Sequence, residues 1–160
     1  MWRSPDGENW TQVNADGFGT GGQTSQGINA LAVFDGDLYA ATEGLPDGVV
    51  GAEVWRCQVC DGNDWEKVVV NGFGNPNTYE LGGLAVHNDQ LYFVVGSQVS
   101  GTEVWRSGDG TDWEQVSAGG FGNPNNIGTF LGNSVVNLGG GLYVGTWNEA
   151  NGGELWLYLR

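Results

Sequence analysis

The chain alternates short apolar runs with turn-forming dipeptides, and the alternation recurs. Leu31-Ala32-Val33-Phe34 and Leu38-Tyr39-Ala40-Ala41-Thr42 flank Asp35-Gly36. Leu84-Ala85-Val86-His87 and Leu91-Tyr92-Phe93-Val94-Val95 flank Asn88-Asp89, and Val135-Val136-Asn137-Leu138 and Leu142-Tyr143-Val144-Gly145-Thr146 flank Gly139-Gly140. Such dipeptides tolerate the positive φ that a tight β-hairpin requires, so each set predicts a hairpin. The near-continuous apolar character of these strands predicts burial on both faces. A third strand follows, in which Glu53 and Trp55 share one face and Val54 and Arg56 the other. A fourth begins at a tryptophan and alternates polar with apolar residues, as in Trp10-Thr11-Gln12-Val13, Trp65-Glu66-Lys67-Val68 and Trp113-Glu114-Gln115-Val116. That pattern predicts a half-exposed edge strand. Gly-Phe-Gly then recurs at 17–19, 72–74 and 120–122, where the phenylalanine is expected to plug the gap to the next unit.

The third-strand tryptophans Trp2, Trp55, Trp105 and Trp156 stand 53, 50 and 51 residues apart. A period near 50 built from four short strands predicts the blades of a β-propeller. The chain reads as one unit, 1–160, with repeats at approximately 2–54, 55–104 and 105–156. Its 30 glycines and four prolines suit many tight turns and disfavour helices. No apolar run approaches a membrane span, so an all-β soluble protein is expected. The net charge of −14 repels phosphate backbones and anionic membranes, which argues against nucleic acid as a partner.

The phase of the repeat carries a further expectation. The sequence opens late in a third strand, with Met1 abutting the clipped anchor Trp2-Arg3, and closes on another third strand at Glu154-Leu155-Trp156. Three blades make too tight a ring. Two copies, each finishing the other's last blade, would give six blades with two-fold symmetry. A homodimer is therefore expected, this chain being half of a six-bladed propeller; a larger assembly, or a natural or engineered fragment, are the alternatives.

The link between third and fourth strands reads Ser4-Pro5-Asp6-Gly7-Glu8-Asn9-Trp10 and Ser107-Gly108-Asp109-Gly110-Thr111-Asp112-Trp113, with Asp61, Gly62 and Trp65 in the second copy. These turns resemble the Asp-box (BNR) hairpin of sialidases, sortilin-type receptors and bacterial propellers, Ser/Thr-x-Asp-x-Gly-x-x-Trp, with one residue fewer between Asp and Gly. The resemblance implies a structural turn at the blade rim. Local chemistry agrees: the aspartate can accept backbone N–H groups, and glycine supplies positive φ.

Other residues carry weaker expectations. Arg3, Arg56 and Arg106 could suggest a sialidase triad, but equivalent repeat positions disperse them around the ring; pairing with acids is expected instead. Cys57 and Cys60 fall in a lengthened copy of the turn and are expected to form a local disulfide, an argument for an exported protein. His87 is expected to be a hydrogen-bonded strand-end residue. Trp147, with Asn148 and Glu149, is the most distinctive divergent strand end and is read as either ordinary packing or a sugar-stacking surface. Acidic turns at Asp35-Gly36-Asp37 and Asp61-Gly62-Asn63-Asp64 are weak calcium candidates. The expected function is a non-enzymatic binding or assembly scaffold, outside the cell, with a lectin as its most specific form. The alternative is a propeller-type glycoside hydrolase using Glu43, Asp47 or Glu149 as loop carboxylates.

Overall fold

The fold was analysed in a computed structural model that describes residues 1–20, 27–46, 49–62, 64–128 and 134–159. Its strands form four consecutive antiparallel sheets, each a simple meander. The first is a ribbon of β1 (Trp2–Arg3) and β2 (Thr11–Gln12). The first full blade contains β3 (Ile28–Phe34), β4 (Asp37–Thr42), β5 (Glu53–Cys57) and β6 (Glu66–Val69). The second contains β7 (Thr78–His87), β8 (Gln90–Ser97), β9 (Glu103–Ser107) and β10 (Glu114–Gln115). The third contains β11 (Val135–Leu138), β12 (Gly141–Gly145) and β13 (Leu155–Tyr158). These are β-propeller blades in an all-β chain, with each predicted hairpin in place. A unit counted from its tryptophan starts in the third strand of one sheet and ends in the third strand of the next.

The hydrophobic core lies between blades rather than within them. Phe34, Tyr39, Ala41 and Val54 of the first blade meet Leu81, Leu84, Leu91 and Phe93 of the second. Tyr92, Val94 and Val104 of the second meet Val135, Leu142 and Val144 of the third. Full burial of each such side chain contributes roughly 1.5–3 kcal/mol, so the blades hold one another in place. Every blade therefore has a leading face towards its predecessor and a trailing face towards its successor.

The Gly-Phe-Gly segments lock that stacking. All three adopt the same left-handed turn: φ is +58°, +54° and +87° over 17–19, +59°, +60° and +86° over 72–74, and +56°, +55° and +94° over 120–122. A left-handed phenylalanine costs about 1–2 kcal/mol, so a compensating contact is needed. Each ring supplies one by crossing to the third-strand tryptophan of the next blade. Phe18 stacks on Trp55 (centroids 4.8 Å, planes 10° apart), Phe73 on Trp105 (3.8 Å, 8°) and Phe121 on Trp156 (4.5 Å, 11°).

Candidate functional site

At the blade rim, the Ser-x-Asp turns are closed networks. Asp6 Oδ1 accepts the backbone N–H of Glu8 and Asn9 at 2.9 and 2.8 Å, and Ser4 Oγ accepts that of Gly7 at 2.7 Å. Asp109 Oδ1 takes the N–H of Thr111 and Asp112, both at 2.8 Å, while Ser107 Oγ takes Gly110 N–H. These donors hold the Asp109 carboxyl at about 2, below the usual carboxylate range, and Asp6 lower still. Gly110 is required twice over: its φ is +79°, and a Cβ there would lie 1.8 Å from the Tyr39 hydroxyl of the preceding blade. Trp10, Trp65 and Trp113 each directly precede a fourth strand.

The second turn corrects the sequence reading. Its gathering carboxylate is Asp64, not Asp61: Asp64 Oδ2 accepts from Val59 and Cys60 N–H at 2.7 and 2.8 Å, and Oδ1 accepts from Asp61 N–H at 3.2 Å. The insertion displaces the acceptor three positions along the chain. Cys57 and Cys60 form a disulfide with Cα atoms 5.2 Å apart. Gly62, at φ +115°, packs so closely on Val13 O that a Cβ would stand 2.1 Å away, seating the enlarged turn on the preceding ribbon.

Arg56 and Arg106 pair with acids, as expected. Arg56 meets Glu66 at 2.5 Å and Asp37 at 3.7 Å, and Arg106 Nε donates to Glu114 at 3.0 Å. Among the described residues, no group of three or more His, Cys, Asp or Glu side chains could hold a metal ion. In the two calcium-candidate turns, Asp37 faces Arg56 and Asp64 is occupied by backbone donors.

A cleft of about 440 Å³ opens between the second and third blades, lined by Gln98, Pro124, Asn125, Ile127, Glu149 and Ala150. Glu149 is therefore at a concave surface. Asn148 is not available to a ligand: it is 4% exposed, its Nδ2 donates to Asn126 Oδ1 at 2.7 Å, and its Oδ1 accepts from Ala150 and Asn151 N–H. Trp147 is 47% exposed and its backbone bridges to Ile127, but it is not among the residues lining the cleft. The expected Trp147-Asn148-Glu149 set thus separates.

Behind Gln98 lies a carboxyl that the sequence reading missed. Glu80 is fully buried on β7; Gln98 Nε2 donates to its Oε1 at 3.1 Å, and among the described residues its Oε2 has no hydrogen-bond partner. Burial pushes this carboxyl above the usual range; the Gln98 hydrogen bond opposes the shift, and the nearby Glu43 charge adds to it. A register shift between Thr78 and Glu80 re-aims the side chain. The available signal was comparative, because the first copy carries Gly27 at this place. Glu43 accepts from Asn29 at 3.2 Å, while Asp47 lies outside the described residues. His87 is buried on the trailing face of the second blade, with Nε2 3.1 Å from the Asn88 carboxamide and its ring edge-on to Tyr92.

The largest departures from the repeat are at the two ends of the stack. Leu81 and Leu84 on the leading face of the second blade are 2% and 5% exposed, whereas their first-blade counterparts Ile28 and Leu31 are 50% and 61% exposed. On the trailing face, Val54 and Val104 are 0% and 5% exposed, but their third-blade counterpart Leu155 is 73% exposed, beside Val136 and Leu138 at 57% and 67%. Both ends thus expose several apolar side chains whose middle-blade counterparts are covered.

No family model and no curated protein sequence matches the chain. Among solved structures, a thermostable family-43 glycoside hydrolase superposes with a TM-score of 0.52 at 12% identity, over 82% of this chain and 46% of that one. The Bombyx mori GH32 β-fructofuranosidase BmSUC1 superposes at 0.46 and 16% identity, over 84% and 34%. The chain spans less than half the length of either. The likeness to the family-43 structure is one of fold. It is a β-propeller likeness.

Proposed function

We propose that this chain is a non-enzymatic β-propeller scaffold of Asp-box type that completes its ring by associating with a second copy. The observation that carries the reading is the pair of uncovered faces: positions buried in the middle blade are open at one end on the leading side and at the other on the trailing side. Leading and trailing faces are what this chain already packs together twice, which supports docking one open face on the other. Two copies joined leading-to-trailing at both junctions make a closed two-fold ring of six blades. The intact Cys57–Cys60 disulfide suits an oxidising, extracellular setting, where such a ring would present its inter-blade clefts to ligands, glycans among them. Light scattering on the 160-residue chain tests assembly. About twice 17.0 kDa is expected, and a 17.0 kDa species at all concentrations overturns it.

One observation favours a second reading, a propeller-type glycoside hydrolase. Glu80, hydrogen-bonded to the cleft-lining Gln98, has its carboxyl raised by burial, as a proton-donating acid of a glycoside hydrolase would. Turnover of aryl glycosides that disappears in Glu80→Gln supports that reading; no turnover across pH 4–8 removes it.

A further inference from the structure

We infer that β2 of a second copy serves as the fourth strand of the third blade, with its Trp10 closing the aromatic box around Phe121. The inference rests on the ring-completion reading and identifies the junction.

The chain contains its own template. Phe18 is stacked on Trp55 and also meets Trp65 edge-on, at 4.9 Å and 68°. Phe73 is stacked on Trp105 and meets Trp113 edge-on, at 6.0 Å and 63°. Each box has one third-strand and one fourth-strand tryptophan. Phe121 has the first, Trp156, and among the described residues lacks the second. Trp10, the corresponding fourth-strand tryptophan of the ribbon, is 58% exposed. One box lacks a wall, and one wall lacks a box.

The place for the missing ring is open. A cavity of about 320 Å³ runs beside β13, lined by Val116, Phe121, Leu142, Val144, Trp156 and Tyr158 among others. Register follows from the other sheets, where Trp55 faces Lys67 and Arg56 faces Glu66, and Trp105 faces Gln115 and Arg106 faces Glu114. Applied to the third blade, this sets Trp156 opposite Gln12 and Leu157 opposite Thr11 of the second copy. In its own ribbon β2 makes the same two pairings, Trp2 with Gln12 and Arg3 with Thr11. Exchanging β1 for β13 therefore leaves backbone pairing roughly balanced. The gain is aromatic contact and apolar burial. Because Phe18 follows β2 and remains stacked on its own Trp55, the exchange carries Ile28, Leu31 and Val33 of the second copy towards Leu155, Val136 and Leu138.

The test uses the full chain in two steps. Light scattering gives the mass, and Trp10→Ala and Trp10→Phe are compared by dilution, with near-UV circular dichroism checking the fold. Removing a buried interface tryptophan typically weakens binding tenfold or more. Trp10→Ala is therefore expected to raise the dissociation constant at least tenfold, and Trp10→Phe much less. In parallel, Thr11→Cys and Leu157→Cys chains are mixed in a thiol–disulfide buffer, and a disulfide between position 11 of one and 157 of the other is expected by mass spectrometry. A dimer with neither the cross-link nor Trp10 dependence overturns strand exchange and leaves assembly standing. A persistent monomer overturns both. A larger ring with the cross-link keeps the junction and overturns two-copy closure.

Discussion

Phe73 is the best-defined test of how the blades are held together. The residue sits in a left-handed conformation, φ +60°, which for a non-glycine costs about 1–2 kcal/mol. Against this, burying most of an aromatic side chain, at least about 100 Å², contributes at least about 2.5 kcal/mol. The stacked and edge contacts with Trp105 and Trp113 add roughly 0.5–1.5 kcal/mol each for a well-formed pair. Contact exceeds strain, so the wild-type turn is net stabilising. Phe73→Ala removes the contact and keeps the strain, and is expected to cost about 3.5 kcal/mol or more. In urea, with a slope near 2 kcal/mol/M, the midpoint should fall by more than about 1 M at fixed protein concentration. Far-ultraviolet circular dichroism is the appropriate signal, because the cycle also needs Trp105→Ala and the double variant. Their coupling energy should be about 1 kcal/mol. A Phe73→Ala cost below about 0.5 kcal/mol, or a coupling near zero, would refute the claim that the plug locks adjacent blades.

Glu80→Gln should be more stable than the parent at neutral pH. A carboxyl raised by burial binds its proton more tightly when folded, so the parent loses stability as pH rises from the ordinary glutamate range through the folded value. The difference should vanish at low pH, and a pH-independent gap in urea midpoints would contradict the assignment. Asp109 has the opposite sign: its carboxyl is held at about 2, so its contribution is complete above the unfolded value of 3.8 and fades as pH falls through 2. Asp109→Ala should therefore show a flatter acid limb in circular dichroism titrations, and an unchanged limb would exclude that role. The Cys57–Cys60 bond closes only a short loop, so its reduction is expected to cost about 2 kcal/mol or less. Thermal melts with and without a phosphine reductant check this, and collapse of the whole fold would show a larger role.

Much of the architecture was legible because hairpins announce themselves locally. Asp35-Gly36, Asn88-Asp89 and Gly139-Gly140 fix the first two strands of each blade, and the Glu-x-Trp anchor marks the third. The inner strand β7 was harder. It begins at Thr78, well before the apolar run at Leu84, because Glu80 and the Gly82-Gly83 pair interrupt the pattern while β8 still supplies partners. Glu80 was overlooked for that reason: it occupies a stretch that reads as a connection. Asp61 was taken for Asp64 because an insertion moves the acceptor without changing the local composition. Nor could alternation along β3 or β11 say which face is covered. Leu31 and Leu84 are equivalent in sequence and opposite in exposure, since burial depends on a neighbouring blade.

The aromatic plug gives the stack a polarity. Each phenylalanine reaches forward onto the next blade's tryptophan, so every junction has a donor side and an acceptor side that are never interchangeable. Units joined head to tail in this way remain finite only when the wedge angle between them divides a full turn. In the proposed two-copy ring the ends meet at six blades and growth stops. With a slightly different wedge, the same contacts would repeat without limit and draw out a helical filament. The angle held at each blade boundary would thus govern whether this sequence makes a closed object or a fibre, and in the proposed assembly Phe121 carries the same plug into the junction between copies.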